Sequence, residues 1–133
     1  MNPAGDNNNL GIGVDIENID RFTGPGRTQD SAFLNKIFTK NELEYCFSKK
    51  ISAQHLAVRY CAKEAVVKAL AGLNRKNINY RDIEIVNKKS GMPEVRIEKP
   101  GFDDLQIKLS LSHCADKAIA FAVITGKNQP ERP

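Results

Sequence analysis

Ser52-Ala-Gln-His-Leu-Ala-Val-Arg-Tyr-Cys-Ala-Lys-Glu-Ala-Val-Val-Lys-Ala-Leu-Ala71 is the stretch that decides the fold. Val58, Cys61, Ala62, Ala65, Val66 and Ala69 recur three and four residues apart, which is the buried stripe of a long helix. Three members of that stripe, Ala62, Ala65 and Ala69, are small enough to let another element approach the helix closely. Gly72 follows as a stop signal.

Upstream, Thr39-Lys-Asn-Glu42 has the form of a capping box and predicts a helix to about Ser48, with Leu43 and Phe47 four apart. Ser31 to Ile37 reads as one or two helical turns. Thr23-Gly-Pro-Gly-Arg-Thr28 is a loop, because Gly24, Pro25 and Gly26 break any regular element. Glu17 to Phe22 begins a short helix. Leu10 to Ile16 reads as a strand in which Ile12, Val14 and Ile16 alternate with Gly11, Gly13 and Asp15.

Downstream, Ile83–Val86 and Glu94–Ile97 are strands, with Gly91 and Pro93 marking the hairpin turn between them. Leu105–Ser112 alternates, with Ile107, Leu109 and Leu111 on one face. Ala118–Ile124 is apolar on both faces, as a central strand is. Strands at both ends of a helical middle predict one compact α+β domain, an antiparallel sheet packed against a long central helix. The domain is expected over residues 10–125, with tails over 1–9 and 126–133 rich in Asn, Gly, Pro and charge.

A chain of 133 residues fits one domain. The net charge of +4 favours anionic partners without choosing among them. Cys46, Cys61 and Cys114 form no CxxC pair, which argues against structural zinc, and an odd scattered set suits a reducing compartment. The polar start, without a basic n-region or apolar stretch, and the lack of a long apolar window lead us to expect a cytoplasmic protein with no membrane partner. Nucleic-acid binding is not expected: there is no Trp, and the basic runs Lys49-Lys50 and Lys88-Lys89 are short.

Three residues invite chemistry. Asp15 stands in the most apolar part of the first strand, where a carboxylate needs a partner or a cation unless it faces solvent at the strand end. Glu64 is four residues before Lys68, the favourable order for a surface ion pair. In the sharper reading Glu64 is a hard oxygen ligand for magnesium, with Lys68 one turn on as a point charge toward phosphates. His113 ends a strand beside Ser112, where it is either structural or a phosphate contact.

Gly11-Ile-Gly-Val-Asp-Ile-Glu-Asn-Ile-Asp-Arg-Phe22, Ile37-Phe-Thr-Lys-Asn-Glu-Leu43, Arg59-Tyr-Cys-Ala-Lys-Glu-Ala-Val-Val-Lys-Ala69, Asp82-Ile-Glu-Ile-Val86, Ser90-Gly-Met-Pro93 and Leu109-Ser-Leu-Ser-His113 together resemble the acyl-carrier-protein synthase type of 4′-phosphopantetheinyl transferase. The likeness spans roughly residues 10–125 and rests on the order and spacing of the pieces. It implies transfer of the 4′-phosphopantetheine arm of coenzyme A to a serine of an acidic apo carrier protein, leaving adenosine 3′,5′-bisphosphate. By position it makes Asp15 and Glu64 the magnesium ligands, with Lys68 and His113 at the pyrophosphate. It sets Arg59, Ser90, Gly91 and Pro93 beside the nucleotide and Arg21 against the carrier.

The serine needs a base, and a metal-bound water or a carboxylate such as Glu64 would serve. A basic rim of Arg21, Arg27, Lys36 and Lys40 would steer the carrier. The resemblance also implies a homotrimer in which His113 and the Gly91 turn meet Asp15 and Glu64 of a neighbouring chain. An inactive relative that only binds coenzyme A or a carrier is the alternative.

Overall fold

Gly11 and Gly13 lie so close to the long helix that no side chain fits between. In the computed structural model, which describes residues 9–127, that helix is α3 (Ser52–Gly72) and the glycines belong to β1 (Leu10–Asn18). A Cβ on Gly13 would stand 1.9 Å from the Ala65 carbonyl oxygen, and one on Gly11 2.3 Å from that of Ala69. The alanine stripe therefore does admit a close neighbour, and the neighbour is the backbone of β1. One consequence reverses the usual alternation. With glycines facing the helix, the large residues Leu10, Ile12, Val14 and Ile16 point away from it and are exposed.

β1 pairs antiparallel with β5 (Lys117–Gly126), which in turn pairs antiparallel with β4 (Leu105–His113), giving the sheet order β1-β5-β4. The strand expected to be central is central. Its inner residues Ala118, Ala120, Ala122 and Ile124 are buried, while Ile119 and Phe121 are exposed on the outer face. β2 (Ile83–Asn87) and β3 (Pro93–Ile97) form a separate two-stranded antiparallel sheet. Gly91 takes φ +91° in the turn between them, the left-handed region that glycine tolerates. Pro93 lies outside that turn, as the first residue of β3, opposite Asn87.

The remaining helices cover the other side of α3. A 3-10 turn spans Ile19–Phe22, α1 spans Ala32–Ile37 behind a Ser31 cap, and α2 spans Lys40–Phe47. The Thr39/Glu42 capping box forms as expected, with both reciprocal bonds present. Glu42 does more than cap. It is fully buried and holds the ammonium of the equally buried Lys63 at 2.8 Å. Its two oxygens also accept from the backbone N–H groups of Thr39 and Ile85, which ties α2 and α3 to β2. The predicted α+β architecture, an antiparallel sheet against a long central helix, is the one observed. The expected tails, apart from Asn9, Gly126 and Lys127, lie outside the described residues, and Gly126 closes β5 opposite Leu105.

Candidate active site

Beyond Gly13, β1 keeps its inward face toward α3, so Asp15 points at the helix with a side-chain exposure of only 11%. Its Oδ1 accepts from Lys68 Nζ at 3.1 Å, and the same ammonium donates to the Val14 carbonyl at 2.9 Å. Oδ2 is buried and has no hydrogen-bond partner. An orphaned, buried carboxylate oxygen is costly and calls for a ligand that the protein itself does not supply. The i,i+4 ion pair between Glu64 and Lys68 does not form, because Lys68 turns across to Asp15.

Glu64 lies on the same side of α3. Cys61 and Lys68 both adjoin Asp15, and Glu64 stands three residues after one and four before the other, on the same helical stripe. Its Oε2 accepts two phenolic hydrogens, from Tyr60 at 2.7 Å and Tyr80 at 2.9 Å. Burial, and then the Glu64 carboxylate, hold both phenols above their usual pKa, so both remain donors. Tyr60 packs on Phe22 with ring centroids 5.6 Å apart, and the Arg21 guanidinium lies over its ring, 4.8 Å from the centroid.

Glu17, two residues past Asp15 on the same inward face, pairs with Arg21 at 3.1 Å. Burial, with the neighbouring Asp15 carboxylate, raises the Glu17 pKa. Burial, followed by the Asp15 and Glu17 charges, pushes the Cys61 thiol up to about 12, and its Sγ donates to the Ala118 carbonyl. The available donors are hard carboxylate oxygens, which suit magnesium.

Sequence reasoning missed Tyr60, Tyr80 and Glu17. Tyr60 had a signal, the i,i+4 spacing to Glu64. Tyr80 is brought in by the chain's return after α3 and had none.

The other expected site residues lie elsewhere in the chain. His113 meets Gln54, in the first turn of α3, with its Nδ1 3.0 Å from the amide nitrogen. Ten residues of helix separate Gln54 from Glu64, roughly 15 Å along the axis. Arg59 is buried with its guanidinium 4.1 Å over the Tyr45 ring and its Nε without a partner. His55 and Lys49 flank the same ring. Ser90 and Pro93 line a cleft of about 620 Å³ between the β2–β3 hairpin and β4, together with Lys88, Lys108 and Lys127. One chain therefore pairs Asp15 with Lys68 and sets Glu64 on the same stripe of α3, while His113 contacts Gln54 in the first turn of that helix. In the basic rim, Arg27 donates to the Arg21 carbonyl and lies over Phe33, while Lys36 and Lys40 line two further clefts.

A family model described as the 4′-phosphopantetheinyl transferase superfamily matches residues 11–122. The chain belongs to that superfamily. Among 4′-phosphopantetheinyl transferases, it is 44% identical over 117 residues to a holo-[acyl-carrier-protein] synthase of Protochlamydia amoebophila, covering 86% of this chain and 96% of the relative. The fold matches an acyl carrier protein synthase structure from Mycobacterium tuberculosis with TM-score 0.68 and 34% identity, over 87% of this chain and 96% of that one. It matches a holo-[acyl-carrier-protein] synthase from Helicobacter pylori in complex with coenzyme A with TM-score 0.72 and 28% identity, over 86% and 99%.

Proposed function

We propose that this protein is a holo-[acyl-carrier-protein] synthase, transferring 4′-phosphopantetheine from coenzyme A to a serine of an acidic apo carrier protein with magnesium, and that residues 10–125 form the transferase domain. The observation that carries the metal-dependent part is the orphaned Asp15 Oδ2, buried on the face that β1 turns toward α3. Asp15 and Glu64 are the residues that would hold the cation. Magnesium there would supply positive charge to a diphosphate.

In the transfer, the serine oxygen bonds to the phosphorus that carries the pantetheine arm. The bridging P–O bond breaks, and its electron pair leaves with adenosine 3′,5′-bisphosphate. The hydroxyl proton passes to a base. Lys68 is half exposed on a flexible stem, and its ammonium stabilises the negative charge that grows on the leaving oxygens. Arg21, at the rim over Tyr60, and Arg27 beside it face the acidic carrier.

The assembly reading is a homotrimer. Leu10, Ile12, Val14, Ile16, Ile119 and Phe121 form one exposed apolar face on the outside of the sheet, a larger contiguous patch than isolated surface hydrophobes make. Covering it with further copies of the chain would bury that face. It would also bring His113 and the Gly91 turn of one copy to Asp15 and Glu64 of another, completing a nucleotide site that one chain leaves divided. Buried free cysteines at Cys46 and Cys61 support a cytoplasmic setting, and no helix among the described residues is long and apolar enough to cross a membrane.

Incubation with coenzyme A, magnesium and apo carrier protein should add the pantetheine arm, read as a mass increase of the carrier. Asp15→Ala and Glu64→Ala should each abolish it. No addition across a panel of carriers removes the proposal.

A further inference from the structure

Glu64 is gripped on one oxygen only. Both phenols, from Tyr60 on α3 and from Tyr80 in the 3-10 turn Tyr80–Asp82, donate to Oε2, and among the described residues Oε1 accepts no hydrogen bond. The two rings stand 5.7 Å apart at 56°, so each limits the other's movement. Tyr60 is buried against Phe22. Tyr80 is fixed through its backbone: its carbonyl accepts from the buried Lys63 ammonium at 2.8 Å, and that ammonium also donates to the Ile83 carbonyl and pairs with Glu42. A chain of contacts thus runs from the α2 cap through Lys63 and Tyr80 to the Glu64 carboxylate.

We infer that Tyr60 and Tyr80 are positioning residues that occupy Glu64 Oε2 and make the carboxylate offer a single oxygen, Oε1, to a divalent cation. The inference rests on the reading of Asp15 and Glu64 as the cation ligands. Its chemical consequence is selectivity. Magnesium is small, keeps near-octahedral geometry and takes one oxygen from each carboxylate, whereas calcium accepts both oxygens of a carboxylate in a looser shell. A glutamate with one oxygen already committed to two O–H donors favours the smaller ion. Without the phenols the carboxylate can rotate and present both oxygens.

The test is calorimetric titration of magnesium and of calcium into the full protein, in wild type, Glu64→Gln, Tyr60→Phe, Tyr80→Phe and the double Phe variant. Phenylalanine keeps the rings packed, and circular dichroism with a thermal melt confirms the fold. Partners of a metal ligand typically change affinity by about 10–100-fold. The double variant is expected to weaken magnesium by that order and calcium by much less, with each single variant between. A purely structural role would weaken both ions in the same proportion. Equal proportional loss, or no loss, in the double variant while Glu64→Gln abolishes binding overturns the clamp and leaves the cation reading standing. Unchanged binding in Glu64→Gln removes the cation reading and the clamp together.

Discussion

Gly13 meets Ala65 across the β1–α3 interface so closely that a Cβ on the glycine would lie 1.9 Å from the alanine's carbonyl oxygen. The obstacle is backbone at the middle of a helix, which cannot swing aside as a side-chain end can. Gly13→Ala must therefore push β1 off α3, carrying Asp15 with it. Overpacking typically costs about 1–3 kcal/mol, and a clash against rigid backbone belongs at or above the top of that range. A thermal melt should show a clear drop in Tm, and magnesium-dependent transfer should fall further than stability alone explains. An unchanged melt would mean that strand and helix are not in this contact.

The buried Glu42–Lys63 pair is a second point of leverage. Removing one partner leaves an uncompensated charge in the core, which costs about 3–5 kcal/mol. Glu42→Leu and Lys63→Met should each be strongly destabilised in urea titrations. The double replacement should be less damaged than the sum of the two, because no lone charge remains. Additive losses would show that the pair is not coupled.

His55 gives a pH signature. Burial, then the charges of Arg59, Lys49 and His113, hold its pKa below the usual value. The unfolded state therefore binds a proton at a higher pH than the native state does. Its stabilising contribution is complete above the unfolded pKa, about 6.5, and is lost as pH falls through the lower native value. The midpoint of unfolding should decline as pH falls below about 6.5. His55→Gln should flatten the part of that slope due to this imidazole, and an identical slope in the variant would refute the assignment.

The outer sheet face predicts the assembly. Ile12 and Phe121 are 55% and 43% exposed in the single chain, yet they would be interior in a trimer. Phe121→Glu, or Ile12→Glu, should convert a trimer to monomers in sedimentation velocity while circular dichroism stays unchanged. Transfer should then collapse, because His113 no longer reaches the carboxylates of a neighbour. A wild-type protein that sediments as a monomer and is fully active would overturn the trimeric site.

Much of the fold was legible in the chain itself. The Thr39/Glu42 cap, the extent of α3, the central position of Ala118–Ile124 and the β2–β3 hairpin all follow from local preference and periodicity, which act within a few residues. The resemblance pointed to Asp15, Glu64 and Lys68, and the first and last of these are in contact. Less legible was the direction of β1. Its isoleucines and valine have the strand period, but only the proximity of the α3 backbone decides that glycines turn inward and large side chains outward.

Partners distant in sequence were decided by tertiary structure alone. Lys68 prefers Asp15, 53 residues away, to the nearby Glu64. Glu64 takes Tyr80, which no spacing rule on a single helix could supply. Glu42 reads as a cap in the sequence and becomes the anchor of a buried lysine only when β2 folds over it. Periodicity reports which face of an element is apolar. Which charged or hydroxyl group arrives at that face depends on where the rest of the chain returns, since hydrogen bonds and ion pairs act only over a few ångströms in space, however far apart their residues lie in sequence.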